Sequence, residues 1–251
     1  MSQKSNKTKQ AEPAQISDLL AGLAPRTLQS RGLLEVVGLF PPEGDRPPEG
    51  DSPTEPGNGH AQYVAPLEHL KLVQVRTYGS MVLRNTADKG MLIAPMHLGF
   101  FQEGAQNHAT SRVLVLEAGE SLTADDCFCI QQSQGGYLKE AQQRFLILPL
   151  GLRGAALARQ GVDSYSRLWG AIDRYNRSYG IARGGHLERF LRPYFARLQP
   201  FRHAFETLPG QVGAAYFIGG SLVGIEAAPN PAYWQELAPI LNIYCYGPAA
   251  L

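Results

Sequence analysis

Cysteine is scarce: three of 251 residues, too few to staple a small secreted domain. Cys127 and Cys129 stand two apart on one expected strand, a spacing that rarely reaches disulfide geometry. No second pair exists to complete a zinc site, and Cys245 stands alone. Three reduced, mostly buried thiols are expected. An excess of one charge is also missing, since 23 Lys and Arg face 22 Asp and Glu for a net +1. That balance supplies no broad phosphate-binding field and argues against general nucleic-acid binding. No apolar run approaches the ~20 residues of a membrane helix, and mean hydropathy is −0.20. The first residues, Met1-Ser2-Gln3-Lys4, carry no apolar signal region. A cytoplasmic, non-membrane protein is the expectation. The nucleophile elbow Gly-x-Ser-x-Gly, the phosphate loop and His-Glu-x-x-His are all absent as well.

What is present is core material, with 44% apolar residues in 27.4 kDa. Residues 1–15 are polar, with Lys4, Lys7 and Lys9, and read as a disordered leader. Residues 16–40 hold an apolar stretch and a strand from Gly32 to Phe40. Over residues 41–61, Pro-Pro-Glu-Gly-Asp occurs twice amid further proline and glycine. Proline removes donors and glycine raises the entropy cost of ordering, so this segment reads as a solvated linker. Residues 62–251 are assigned to a single domain.

Within that domain, Leu67–Leu70 reads as a helical turn. Val73, Val75 and Tyr78 alternate into a strand that turns at Gly79 into Met81–Leu83. Met91–Ala94 follows as another strand. Val113–Leu116 and Asp126–Ile130 are expected to be antiparallel neighbours, covered on both faces. The period then lengthens. Tyr165, Leu168, Trp169, Ile172, Tyr175 and Tyr179 mark an amphipathic helix of core residues, with Asp163 or Ser164 as cap and Gly180 at its end. Leu187 to Leu198 repeats the pattern, with Pro193 expected to begin or kink a segment. Gly219-Gly220 between two apolar runs is a hairpin signal. Asn230-Pro231 caps a final helix carrying Trp234, Leu237, Leu241 and Tyr244. The expected class is α+β: an antiparallel, hairpin-rich core packed with C-terminal amphipathic helices.

One polar stretch, residues 97–112, interrupts the apolar strands. Glu103 is a candidate general base, and His97 and His108 are candidate proton carriers. Gln106 and Asn107 offer donors and acceptors to a hydroxyl- or amide-bearing ligand. Arg112 is its candidate anion partner, and Gly104 lets the backbone approach closely. The competing reading is a polar loop in which Glu103 pairs with Arg112. Two histidines eleven residues apart match no metal motif, and the sequence leaves the cofactor open. Gly151-Leu152-Arg153-Gly154 offers Arg153 to an anion, though an exposed loop arginine is the commoner reading, and Gly184-Gly185-His186 reads as the joint between two helices.

Three blocks resemble the domain family named for its association with ADP-ribosylglycohydrolase and rhodanese-phosphatase proteins. They are Tyr63–Asn85; Gln102-Glu103-Gly104-Ala105-Gln106-Asn107 with the strand and glycine turn to Glu120; and Pro209–Ile225. His108 stands where the family pattern has arginine, and residues 137–162 depart from the pattern. The resemblance implies an α+β domain near enzymes acting on ADP-ribose or phosphorylated compounds. The expected function is binding, with possible hydrolysis, of a nucleotide-derived (ADP-ribose-like) or sugar-phosphate ligand at this stretch. The alternative is a non-enzymatic protein-interaction module that meets its partner through the Pro-rich segment.

Overall fold

The computed structural model of the chain describes residues 22–42, 63–101, 106–132 and 144–251. The expected leader and residues 43–61 of the expected linker lie outside the described residues. Fourteen strands and five α-helices are described, with a π-helical turn near the C-terminus. The α+β expectation holds, with helices gathered in the second half.

The first sheet joins the two ends of the chain. β1 (Ala24–Arg31) and β2 (Leu34–Phe40) form a hairpin, and β13 (Gly213–Ile218) pairs with β2 and with β14 (Ser221–Ala227). β1 is not foreseen in the sequence because it is polar and carries Pro25, which an edge strand tolerates. The β13–β14 turn is the Gly219-Gly220 pair, with φ of 56° and 78°. Two successive positive φ values match the twist of the flanking strands.

Three smaller sheets carry the middle of the chain. Helix α1 (Pro66–His69) leads into β4 (Leu70–Thr77), which hairpins through Gly79 into β5 (Ser80–Asn85); β10 (Ser121–Ala124) pairs on β5. β3 (Tyr63–Val64) runs parallel to β6 (Met91–Ala94), which pairs antiparallel with β9 (Leu114–Leu116). β7 (Leu98–Phe101) lies between β8 (His108–Ala109) and β12 (Arg144–Ile147), and β11 (Phe128–Cys129) pairs with β8. The runs Val113–Leu116 and Asp126–Ile130 are therefore not neighbours, because each finds an earlier strand. Nor is the first covered on both faces: Val113 and Val115 are each 50% exposed.

Helices close the core. They are α2 (Leu150–Leu157), α3 (Trp169–Ser178), α4 (Glu188–Arg202) and α5 (Pro231–Ile240), followed by the π-helical turn Leu241–Tyr246. Helix α3 starts later than the apolar spacing suggests, with Leu168 at its cap position and no side-chain cap. Tyr165 is thereby excluded from the helix, and it stacks on Tyr78 in solvent instead of packing in the core. Gly180 ends the helix region at φ 71°, as expected. Pro193 and Pro200 sit inside α4 without ending it. Phe190 and Tyr194 of α4 and Tyr175 and Tyr179 hold it by ring contacts of 4.6–5.5 Å. Asn230 caps α5, accepting the Tyr233 N–H at 2.8 Å, and its Nδ2 donates to the Tyr63 carbonyl. Asn230→Ala should cost about 1 kcal/mol, measured by chemical denaturation. All three cysteines are buried free thiols. Among the described residues, no helix is long and apolar enough to cross a membrane.

Candidate functional site

The structure separates the residues nominated by sequence. Glu103 and Gly104 lie outside the described residues. His108 is fully buried on β8, where its Nε2 accepts the Gly79 N–H at 3.1 Å. That bond places the proton on Nδ1, which faces the Gln106 carbonyl at 3.4 Å. Burial pushes its pKa down to about 4, so His108 is a neutral strut near neutral pH. Arg112 is exposed and donates from Nε to Asp126 Oδ2 at 3.2 Å, on the oxygen that also accepts Ser111 Oγ. It thus has a carboxylate partner other than Glu103.

His97 is different in kind. It adopts φ 67°, a left-handed conformation that non-glycine residues rarely take. Its N–H donates to the Thr110 carbonyl and its own carbonyl accepts from Leu148, so the backbone is clamped. Neither ring nitrogen has a partner among the described residues. Burial, with the Arg153 charge second, lowers its pKa to about 4.

Asn107 connects the Gln-Asn pair to an opening in the surface. Its backbone N–H donates to Gln131 Oε1 at 3.1 Å, and its carbonyl accepts from Ile130. Just beyond β11, Gln131 forms an isolated antiparallel bridge with His186, and Gln132 Oε1 accepts the Gly185 N–H at 2.6 Å. The loop after α3 is pinned from the other side. Asn176 Nδ2 donates to the carbonyls of Gly184 and His186, and Asp173 Oδ1 accepts the Gly184 N–H at 2.7 Å. A Cβ on Gly185 would lie 2.6 Å from Trp169 Cβ and 2.9 Å from its Cα, so only glycine lets the loop rest on α3.

Between these elements lies a cleft of about 680 Å³, walled by Gln132, Trp169, Asp173, Arg183, His186 and Arg189. Its charge is positive in effect. The Gly184 N–H, and then Arg177, hold Asp173 below the usual carboxylate range. Arg183 and Arg189 are exposed; the Arg183 charge also helps to lower Asp173, Arg189 Nη1 donates to the Arg183 carbonyl, and neither guanidinium forms a close ion pair with a carboxylate among the described residues. Burial and the Arg189 charge lower the pKa of His186. Two guanidinium forks beside a half-buried indole and a neutral imidazole suit an anionic ligand with a planar portion. The volume falls within the range of small-ligand clefts. Among the described residues, no three metal-ligating side chains converge here or elsewhere. From sequence alone, Gly184-Gly185-His186 reads as a helix joint and Trp169 as core. The one available signal was Arg183 and Arg189 flanking the glycine pair.

Arg153 also departs from expectation. It belongs to α2, is mostly buried, and ion-pairs with Glu226 of β14. Tyr246 of the π-helical turn donates to the same carboxylate at 2.7 Å and stacks on Tyr216 at 3.8 Å. Burial raises the Cys245 thiol beside it to about 12, which makes it a poor nucleophile.

No curated protein and no solved structure matches the chain. A family model for the ARG and Rhodanese-Phosphatase-superfamily-associated Protein domain matches residues 25–251, which takes in both the Gln106-Asn107 pair and the whole cleft wall. The chain therefore belongs to the ARPP-1 domain family.

Proposed function

We propose that this domain binds a small nucleotide-derived or sugar-phosphate ligand in the cleft between α3 and the loop Arg183–Arg189. The carrying observation is the pair of exposed arginines, two cations against the one carboxylate Asp173 and neither in a close ion pair among the described residues, on a ligand-sized opening beside Trp169. The guanidinium forks take the phosphate, and the indole takes the base or sugar face. The family name, which ties the domain to ADP-ribosylglycohydrolase and rhodanese-phosphatase proteins, points toward the same chemistry. Hydrolysis extends this reading. His186, neutral and half-buried in the cleft, is the base that takes a proton from water, and Glu103 is the carboxylate nominated by sequence.

A thermal-shift panel of ADP-ribose, mononucleotides and sugar phosphates tests the binding. Saturable stabilisation is expected for at least one compound. Arg183→Ala or Arg189→Ala should weaken it about tenfold or more, the loss of one charge-assisted contact. A flat response across the panel would reject the cleft and favour the protein-interaction reading. Incubation of the stabilising compound, followed by chromatography, tests turnover. His186→Asn and Glu103→Gln should each keep binding while any turnover is lost.

A further inference from the structure

The cleft beside Trp169 is lopsided toward donors. Among its described lining residues Asp173 is the one carboxylate, and both its oxygens are engaged, Oδ1 by the Gly184 N–H at 2.7 Å and Oδ2 by Arg177 at 3.1 Å. Arg183 acts on Asp173 by charge, and Arg189 commits Nη1 to the Arg183 carbonyl and keeps the rest of its fork. Gln132 adds an uncharged amide to the wall. Its Oε1 accepts the Gly185 N–H at 2.6 Å. A backbone N–H can only donate, so this bond fixes which end of the amide is oxygen. The Nε2 end carries two hydrogens and has no partner among the described residues.

The backbone places that free donor. A Cβ on Gly185 would lie 2.6 Å from Trp169 Cβ, and one on Gly184 would lie 2.9 Å from Arg189 Nη1. The Gln132 amide, tied to Gly185, is therefore held next to the indole and one residue along from the Arg189 fork. A ligand with its phosphate on the arginines and a plane against Trp169 brings the rim of that plane to Nε2. Carbonyl oxygens and ring nitrogens of a nucleobase accept in the plane of the ring, so stacking and accepting from Nε2 occur together. A sugar phosphate lacks the plane. A plain aryl phosphate lacks the acceptor.

We propose that the ligand of this cleft is a nucleotide, and that Gln132 Nε2 determines the choice by donating to an acceptor on the rim of its base. This choice rests on the phosphate-binding reading above and excludes sugar phosphates. A ligand without a base acceptor leaves the Gln132 donor unpaired beside the bound plane, and that penalty rejects it.

Calorimetric titration of the full chain with three compounds separates the contributions. Uridine monophosphate methylated on the ring N–H carries a phosphate, a plane and carbonyl acceptors, with no base donor. Phenyl phosphate lacks the acceptors, and ribose phosphate lacks the plane. The nucleotide should bind about tenfold or more tighter than either of the others. Gln132→Glu keeps an oxygen for the Gly185 N–H and removes the Nε2 donor. Its added charge weakens all three phosphates, so the readout is a ratio: the advantage of the nucleotide over phenyl phosphate should fall about tenfold. A Gln132 that only braces the loop would leave that ratio unchanged. A thermal melt checks that the variant is folded, and the ranking in the unaltered chain tests the idea even where Gln132→Glu unfolds. Ribose phosphate or phenyl phosphate binding as tightly as the nucleotide overturns the proposal and leaves the phosphate cleft standing. So does an unchanged ratio in folded Gln132→Glu. No binding of any of the three overturns both the proposal and the phosphate-binding reading beneath it.

Discussion

Acidification from about pH 7 to about pH 5 should remove about 2 kcal/mol of folding stability for each of His97 and His108, and about 3 kcal/mol once the pH falls below about 4. Both groups drop from the ordinary 6.5 to about 4 in the folded chain. The unfolded chain therefore takes up protons first, below 6.5, while the folded chain resists until about 4. Proton uptake favours the state that binds more protons, so stability is complete above 6.5 and drains away as pH falls toward 4. The physical causes are local: His108 accepts a backbone N–H that a protonated ring would repel, and His97 is shut from water near the Arg153 charge. Urea midpoints measured across this range should fall steeply. Replacing His108 with Gln, which keeps an acceptor for Gly79, and His97 with Asn, which tolerates positive φ, should flatten the curve. An unchanged slope in the double variant would show that other groups govern acid unfolding.

Breaking the Arg153–Glu226 pair should be comparably costly. With side chains only 20% and 16% exposed, removing one partner strands the other charge away from water. Arg153→Met and Glu226→Gln should each cost about 3 kcal/mol, the lower end for a buried pair because some solvent reaches it. The double variant should cost about 2 kcal/mol less than the sum, since neither charge is left alone. Guanidinium denaturation of the four proteins completes this cycle. Strict additivity would mean that the two groups contribute independently.

Local chemistry in this chain is legible wherever a few adjacent residues decide the geometry. Gly219-Gly220 permits two positive φ values and so sets a hairpin. Asn230-Pro231 offers a cap acceptor and a preset φ, and a helix follows. Gly79 and Gly180 end their elements for the same reason. The α3 start escapes such reading because Tyr165 and Leu168 share a helical period, yet Tyr165 gains more by stacking on Tyr78 across the fold. Strand partners escape it too. Val113–Leu116 and Asp126–Ile130 are apolar and close in sequence, but β6 and β8 compete for their edges and win.

The candidate site divides along the same line. Residue types around positions 97–112 show that polar chemistry interrupts the apolar strands, and the family resemblance rests on that stretch. Sequence spacing cannot tell a side chain that braces the fold from one that faces a ligand. His108 is taken by a backbone N–H 29 residues away. The arginines of the cleft acquire their setting only when Gln132, Trp169 and the Gly184–Gly185 loop come together. Turns, caps and apolar periods were set by the chain itself, because φ/ψ preference and burial are properties of neighbouring residues. Which polar groups remain without partners was decided by tertiary packing, because only contacts distant in sequence consume donors, acceptors and charge.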